Sequence, residues 1–323
     1  MPKFKIHHIT RYVYQHDVRD SANQVILYPV QDEWQDVLKH TITISSNPVI
    51  DVFTDYYGNK VGHFTQREPH NTLTIQSDLT VETRNRPLPN DEMFASQQWD
   101  DLVKLTVQVP YIDFLRQEYF AARKELKDLV SVLRRPEDTP YKAALHFCDY
   151  VYNNFKYHPG VTSIETTVDE IWSMRSGVCQ DFAHILLEML RSVHIPARYV
   201  SGYICPNHNG MRGEGATHAW VEAWLPSYGW LGLDPTNNCV ANDTHVRLAV
   251  GRSFGDCSPV KGVYKGSADH DLEVAVSVAY EDGSVTSLPD PEPPVPKPVS
   301  AFAKNSYMRH VELMQQQQQQ QQQ

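Results

Sequence analysis

The hydrophobic period changes once along this chain of 323 residues, and that change constrains its fold more than any single motif. Over the first 85 or so positions the apolar residues recur mostly every second residue: Phe4, Ile6, Tyr12 and Tyr14, then Ile42 and Ile44, then Leu73, Ile75, Leu79 and Val81. A period of two turns one side of a strand to a core and the other to solvent. Turn signals such as YYGNK at 56–60 separate the runs and no helical pattern intervenes, which predicts an N-terminal antiparallel β-sandwich domain over 1–88. The stretch RNRPLPN at 84–90 interrupts the pattern with two prolines. From about Glu118 the period is helical, with helices expected near 115–134, 140–156, 167–175 and 179–193, followed by strands at 197–204, 217–225 and 229–235. Helices first and strands after predict an α+β domain over 89–288, to which 245–250 and 271–280 add strands. Beyond Leu288, PDPEPPVPKPV reads as an extended linker, and the segment 289–323 ends in nine glutamines that have no means of building a packed core and are expected to be disordered.

Charge and composition exclude several function classes. Lysine and arginine total 29 against 39 acidic residues, a net charge of −10, and no basic stripe interleaves with aromatics, so nucleic acid is not an expected partner. The N-terminus lacks the apolar core of a secretory signal and no run of 18 apolar residues occurs, so no membrane partner is expected and a cytoplasmic location is. Five cysteines are an odd number without CxxC pairs, which disfavours a disulfide framework or a zinc knuckle. His7 and His8 are adjacent and would point to opposite faces of a strand; no HExxH spacing and no calcium loop appears, so neither a metal nor another cofactor is expected. Cys148, with Ala144, Phe147, Val151 and Phe155 at helical spacing, reads as a buried apolar residue.

Cys179 is different. In SGVCQDFAHIL it stands at the start of a helix whose apolar face is Phe182, Ile185, Leu186, Met189, Leu190 and Val193. Unpaired N–H groups and the positive end of the helix dipole favour thiolate over thiol there. Gly177 is expected to allow the tight turn into the helix. A thiolate nucleophile needs an imidazole to carry its proton, and that imidazole needs an acceptor to fix its tautomer. His218 opens the strand THAWVEAWL and Asp234 closes the strand GWLGLD, with LPSYG (225–229) as a hairpin connection between them. In an antiparallel hairpin the start of the first strand neighbours the end of the second, which brings the imidazole and the carboxylate within hydrogen-bond reach.

The stretches GVCQDFAHILLEMLRSVHIPARYVSGYI, THAWVEAWLPSYGWLGLDPTNN and HVRLAVGRSFGDCSPVKG resemble the transglutaminase-like superfamily, in particular its bacterial members described as cysteine proteases, and the sheet region resembles the β-domain that precedes the core in those proteins. The resemblance implies a papain-like core with Cys179 as nucleophile, His218 as base and acid, and Asp234 as orienter. Gln180 and Asp181 follow the nucleophile as the family pattern has them; Asp181 is expected to cap or salt-bridge near the helix start, and Trp220 either shields the ion pair or is a core aromatic. Where related proteins carry an acidic residue, this chain has Ser253. His245 and Asp256 read as loop-surface residues rather than cleft residues. The expected chemistry is thiol-dependent acyl transfer on a peptide or carboxamide of a peptide or protein substrate, with hydrolysis favoured over transfer to an amine. A protein-glutamine gamma-glutamyltransferase and a non-catalytic scaffold that keeps the fold are the alternatives, and no triad member is missing as the scaffold would require.

Overall fold

The computed structural model describes residues 1–163, 166–205, 211–213, 216–266 and 268–282. The proline-rich stretch and the glutamine run lie outside the described residues. Five strands open the chain: β1 (Lys3–Val25), β2 (Gln35–Ile44), β3 (Asp51–Thr54), β4 (Lys60–Gln66) and β5 (His70–Thr83). Helices α1 (Ala95–Leu105), α2 (Tyr111–Leu115), α3 (Arg123–Leu133) and α4 (Pro140–Asn154) follow, then strand β6 (Lys156–Tyr157), α5 (Val168–Met174), strand β7 (Ser176–Gly177) and α6 (Cys179–Ser192). Strands β8 (Ala197–Ile204), β9 (Thr217–Leu225), β10 (Gly229–Asp234), β11 (Cys239–Val240) and β12 (His245–Gly251) come next, then the single turn α7 (Phe254–Cys257), β13 (Val260–Lys265) and β14 (His270–Tyr280).

With 23 residues, β1 is long enough to serve both halves of one curled antiparallel sheet. Its first part pairs with β5 on one side and β14 on the other; past a register shift between Val13 and Val18, its last part pairs with β4 and β13. The period-two residues behave as their spacing requires. Phe4, Ile6, Ile44, Leu73, Ile75, Leu79 and Val81 are buried, and Val25 and Phe64 from the other half join the same core. The sheet is completed by β13 and β14 from the far end of the described chain, so the polypeptide returns to the strand it began with.

The second core is built around α6. Phe182, Ile185, Leu186, Met189 and Leu190 are buried against Ala219, Val221, Ala223, Leu231 and Leu233 of an antiparallel sheet ordered β11-β10-β9-β8-β12. Burial of each large side chain contributes about 1.5–3 kcal/mol, so the helix that begins at Cys179 is held as a rigid platform. Cys148, with Ala144, Phe147 and Val151 of α4, lies in this core as its spacing predicted.

One expected helix is shorter than its pattern. The periodic stretch 115–134 is helical only from Arg123 on, as α3, while α2 ends at Leu115, and α6 supplies the reason. Buried Arg191 donates to the carbonyls of Phe114 and Arg116, and the Glu188 carboxylate accepts from the Glu118 N–H, so the connecting backbone is satisfied by side chains rather than by a helical ladder. The two cores also meet: Tyr203, Val246 and Leu248 of β8 and β12 pack into the core of the N-terminal sheet, and the Tyr203 hydroxyl lies 2.7 Å from His8 Nδ1. His7 is half-buried, with its side chain toward solvent, and His8 is buried, the alternation expected of neighbours on a strand. Among the described residues no helix is long and apolar enough to cross a membrane.

Candidate active site

Cys179 is the first residue of α6, preceded by Val178 in extended conformation. The carboxylate of Asp181, 2% exposed, accepts from the Val178 N–H at 2.7 Å and from the Thr162 hydroxyl at 2.6 Å. Asp181 thus ties down the backbone before the thiol, the capping role expected of it. Burial raises its pKa, against the effect of the two donors. Gly177 calls for a correction: it is absent from the residues of positive φ, so a tight turn is not its purpose. A Cβ there would lie 2.3 Å from the Asp181 carboxylate oxygen, and glycine is required for that approach. The Cys179 N–H belongs to the first turn, whose donors the helix leaves unpaired. The other thiols are poor competitors for thiolate chemistry: burial pushes Cys148 and Cys257 well up and Cys239 up to about 12, while Cys205 is fully buried. None of the five cysteines is in a disulfide.

The hairpin expected from LPSYG is formed by β9 and β10, with Leu225 opposite Gly229 and Val221 opposite Leu233. Carried one pair further, that register sets Asp234 opposite Trp220, so His218 and Asp234 are diagonal rather than directly opposed. Their side chains still meet, Nε2 to Oδ2 at 2.8 Å, with neither exposed to solvent. Asp234 is saturated with donors. Oδ1 accepts from the N–H groups of Thr236 and Asn237, and Oδ2 from the Asn237 side-chain amide at 2.8 Å and from His245 Nε2 at 3.3 Å as well as from His218. A carboxylate with this many donors stays ionised: burial pushes its pKa up, but the His218 charge and these hydrogen bonds outweigh that and carry it far below the usual range.

His245 is the second correction. It is a buried residue at the start of β12, not a loop-surface one. Its Nδ1 faces the Asn242 N–H, which leaves the proton on Nε2 for Asp234. Asp256 holds the Arg252 backbone and guanidinium, and is half-buried in α7 rather than on a free loop. Ser253 precedes α7 without a side-chain cap bond. Trp220 is fully buried and stacks near His218, 28° from parallel, while meeting His245 edge-on. It is a core aromatic and a lid on the imidazole pair at once. Room for its ring comes from Gly202, where a Cβ would lie 2.6 Å from the indole.

His218 donates through Nε2, so Nδ1 is its working nitrogen. That atom is buried and meets no hydrogen-bond geometry in the described structure. Cys179 lines the same cavity as His218, and its thiol is close enough to act on the charge of the ring. Burial would lower the His218 pKa, but the Asp234 carboxylate, with a contribution from Cys179, raises it well above the imidazole range. Gly213 stands over the same nitrogen with φ +83°, and a Cβ on it would be 2.8 Å from Nδ1. Asn237 fixes this strand of chain, accepting from the Arg212 N–H at 2.7 Å and donating to the Arg212 carbonyl at 3.2 Å. Asn237 therefore orients the acceptor of the imidazole and the backbone above it. Gln180 lines the cavity beside Cys179.

His218, Asp234 and His245 offer atoms within 4.8 Å of one another, a spacing that a divalent cation could bridge. Hydrogen bonding accounts for the cluster instead: the 2.8 Å separation is shorter than two ligands of one tetrahedral zinc would keep, and every Asp234 oxygen already has donors.

The comparisons with known proteins fit this arrangement. The family model described as the transglutaminase-like superfamily matches residues 127–235, and that of the bacterial transglutaminase-like N-terminal region matches residues 4–82. An uncharacterised protein of Mycobacterium leprae is 31% identical over 281 residues, 86% of this chain and 99% of that one. The chain belongs to the transglutaminase-like superfamily. A solved structure of a candidate cysteine protease from Cytophaga hutchinsonii shares the fold of this transglutaminase-like protein, with a TM-score of 0.69 over 90% of this chain and 94% of the other at 23% identity. A protein-glutamine gamma-glutamyltransferase of Pseudomonas aeruginosa is 39% identical over 83 residues, 24% of this chain and 12% of that protein.

Proposed function

We propose that this transglutaminase-like protein catalyses acyl transfer from a carboxamide or peptide carbonyl through a thioester on Cys179. The observation that carries the reading is the His218 ring: Nε2 is committed to the Asp234 carboxylate, and Nδ1 is left without a hydrogen bond beside the Cys179 thiol. The thiol gives its proton to Nδ1, and the sulfur attacks the carbonyl carbon. The tetrahedral oxyanion is opposite the Cys179 N–H at the helix start. Collapse breaks the carbon–nitrogen bond, and Nδ1–H passes its proton to the departing amine. Water, deprotonated by the same nitrogen, then attacks the thioester; the carbon–sulfur bond breaks, the acid leaves, and Nδ1–H returns its proton to the sulfur. Gln180 and Trp220 act here as lining and as cover, and Asp181 as the anchor of the helix start.

A primary amine in place of water would give a transamidation product from the same intermediate. The likeness of the Pseudomonas aeruginosa gamma-glutamyltransferase over its matching segment supports keeping that second outcome. Iodoacetamide labelling between pH 5 and 9, with the alkylated cysteine located by mass spectrometry, tests the nucleophile. Selective Cys179 labelling that persists below pH 7 and is lost in His218→Ala is the expected result. Labelling that rises only around the free-thiol pKa of about 8.5 sinks the assignment. With an activated Cys179 in hand, conversion of a glutamine peptide to the glutamate peptide against incorporation of a fluorescent primary amine, both read by mass spectrometry, separates hydrolysis from transfer.

A further inference from the structure

The cavity that holds Cys179 and His218 has a wall from outside the catalytic core. On one side it is closed by His8, Thr10 and Tyr12 of β1 and by Leu272 and Val274 of β14. These residues share one face of the N-terminal sheet, since Tyr12 pairs with Leu272 and Thr10 with Val274. Two and four residues earlier on β1, Ile6 and Phe4 carry the same face into the closed core. The face therefore changes function along the strand, from core packing to cavity lining. Leu272 and Val274 are left 51% and 42% exposed, an uncommon state for neighbouring aliphatic residues on an inward face. Among the described residues lining the cavity there is no aspartate, glutamate, lysine or arginine. On the wall itself the His8 ring is occupied, with its two nitrogens against Tyr203 and Thr10. The volume, about 400 Å³, is in the range of ligand sites, which run from about 300 to 1,000 Å³.

We propose that the N-terminal sheet supplies the substrate-selecting wall of the site, and that it takes an uncharged aliphatic or aromatic side chain flanking the reacting carbonyl. The occupant is a residue of the peptide or protein substrate, held against Leu272 and Val274 while its neighbour's carbonyl faces Cys179. Apolar contact is the only strong attraction such a wall offers, and a charged side chain would lose its hydration there without gaining a partner. A chain with a net charge of −10 that screened substrates by long-range charge alone would favour basic side chains; this wall rejects both signs. The proposal rests on Cys179 being the nucleophile.

Peptide chloromethyl ketones that alkylate Cys179 provide the test, with Ac-Phe-Gly, Ac-Asp-Gly and Ac-Lys-Gly as the three peptide parts. Each labelling rate is divided by the iodoacetamide rate of the same protein sample, which removes differences in thiol reactivity. The wild type is expected to prefer the phenylalanine probe over both charged probes by about tenfold. Leu272→Asp is expected to abolish the preference over the lysine probe, and Val274→Asp, made separately, to weaken it; both positions are half-exposed, so neither change opens a closed core. Equal ratios for the three probes in the wild type would overturn the proposal, as would a phenylalanine preference that survives both variants. Failure of iodoacetamide to label Cys179 in the wild type is a distinct result: it removes the nucleophile assignment, and the wall loses its role with it.

Discussion

His218 and Asp234 lie two residues out of register on one β-hairpin, yet Nε2 and Oδ2 are 2.8 Å apart and both side chains are closed to water. Diagonal neighbours on a twisted antiparallel pair stay within reach of long side chains, and here the pair is completed by donors from Thr236, Asn237 and His245. The carboxylate consequently holds its charge while buried, and that charge sets the tautomer of His218.

Replacement Asp234→Asn removes the charge and keeps the shape. The His218 pKa then loses the interaction that raises it, and burial alone pushes it down. Alkylation of Cys179 at pH 6 is expected to slow by on the order of 10³-fold, with a shallower loss above pH 8. A rate within a factor of a few of the wild type at pH 6 would remove Asp234 from the site.

Gly177→Ala tests the Asp181 anchor. Its Cβ would occupy the place of the carboxylate, 2.3 Å away, and release the Val178 N–H. Urea unfolding is expected to report a loss of about 1–2 kcal/mol, the worth of a helix-start cap, with slower Cys179 alkylation. Asp181→Ala, which also strips the Thr162 hydroxyl of its acceptor, should cost at least as much.

At Gly213 the expected damage is local. An alanine there strains a left-handed backbone by about 1–2 kcal/mol and crowds His218 Nδ1. Thermal unfolding should move by only a few degrees while the alkylation rate of Cys179 falls at least tenfold. An unchanged rate would mean that Nδ1 does not carry the proton.

His8 links the two cores and couples their stability to pH. Burial, with a smaller push from His7, lowers its pKa to about 4. Unfolded, the same ring binds a proton near pH 6.5, so the unfolded chain holds more protons between these values and stability falls as pH drops from about 6.5 to about 4. At the low end the cost is roughly 3 kcal/mol. His8→Gln, which keeps a donor and an acceptor toward Tyr203 and Thr10, should therefore lose less stability than the wild type between pH 7 and 4.5 in urea titrations. Parallel curves for the two proteins would refute it. His184, half-buried and with its pKa likewise lowered to about 4 by desolvation, keeps some of the slope in the variant.

The legible part of this protein was local. The strand period of Phe4 and Ile6, the amphipathic face of α6 and the turn in LPSYG each depend on residues within a few positions of one another, and each formed as read. The 115–134 helix begins late, at Arg123, for the converse reason: Arg191 and Glu188, some 70 residues away, capture the backbone at its expected start. His245 was missed on the same ground, because nothing near it in sequence announces that Asp234 will be its partner.

From sequence alone came the two architectures, the thiol at a helix start, and the imidazole and carboxylate at matching ends of a hairpin, since backbone geometry over a dozen residues dictates such relations. The tertiary structure decided which ring nitrogen faces the thiol, that five donors surround Asp234, that Gly177 and Gly213 are glycines because of what approaches them, and that β1 and β14 wall the cavity. Those relations join residues as far apart as Tyr12 and Leu272. They follow from how two cores pack together, and hydrophobic periodicity says which face is buried without saying against what.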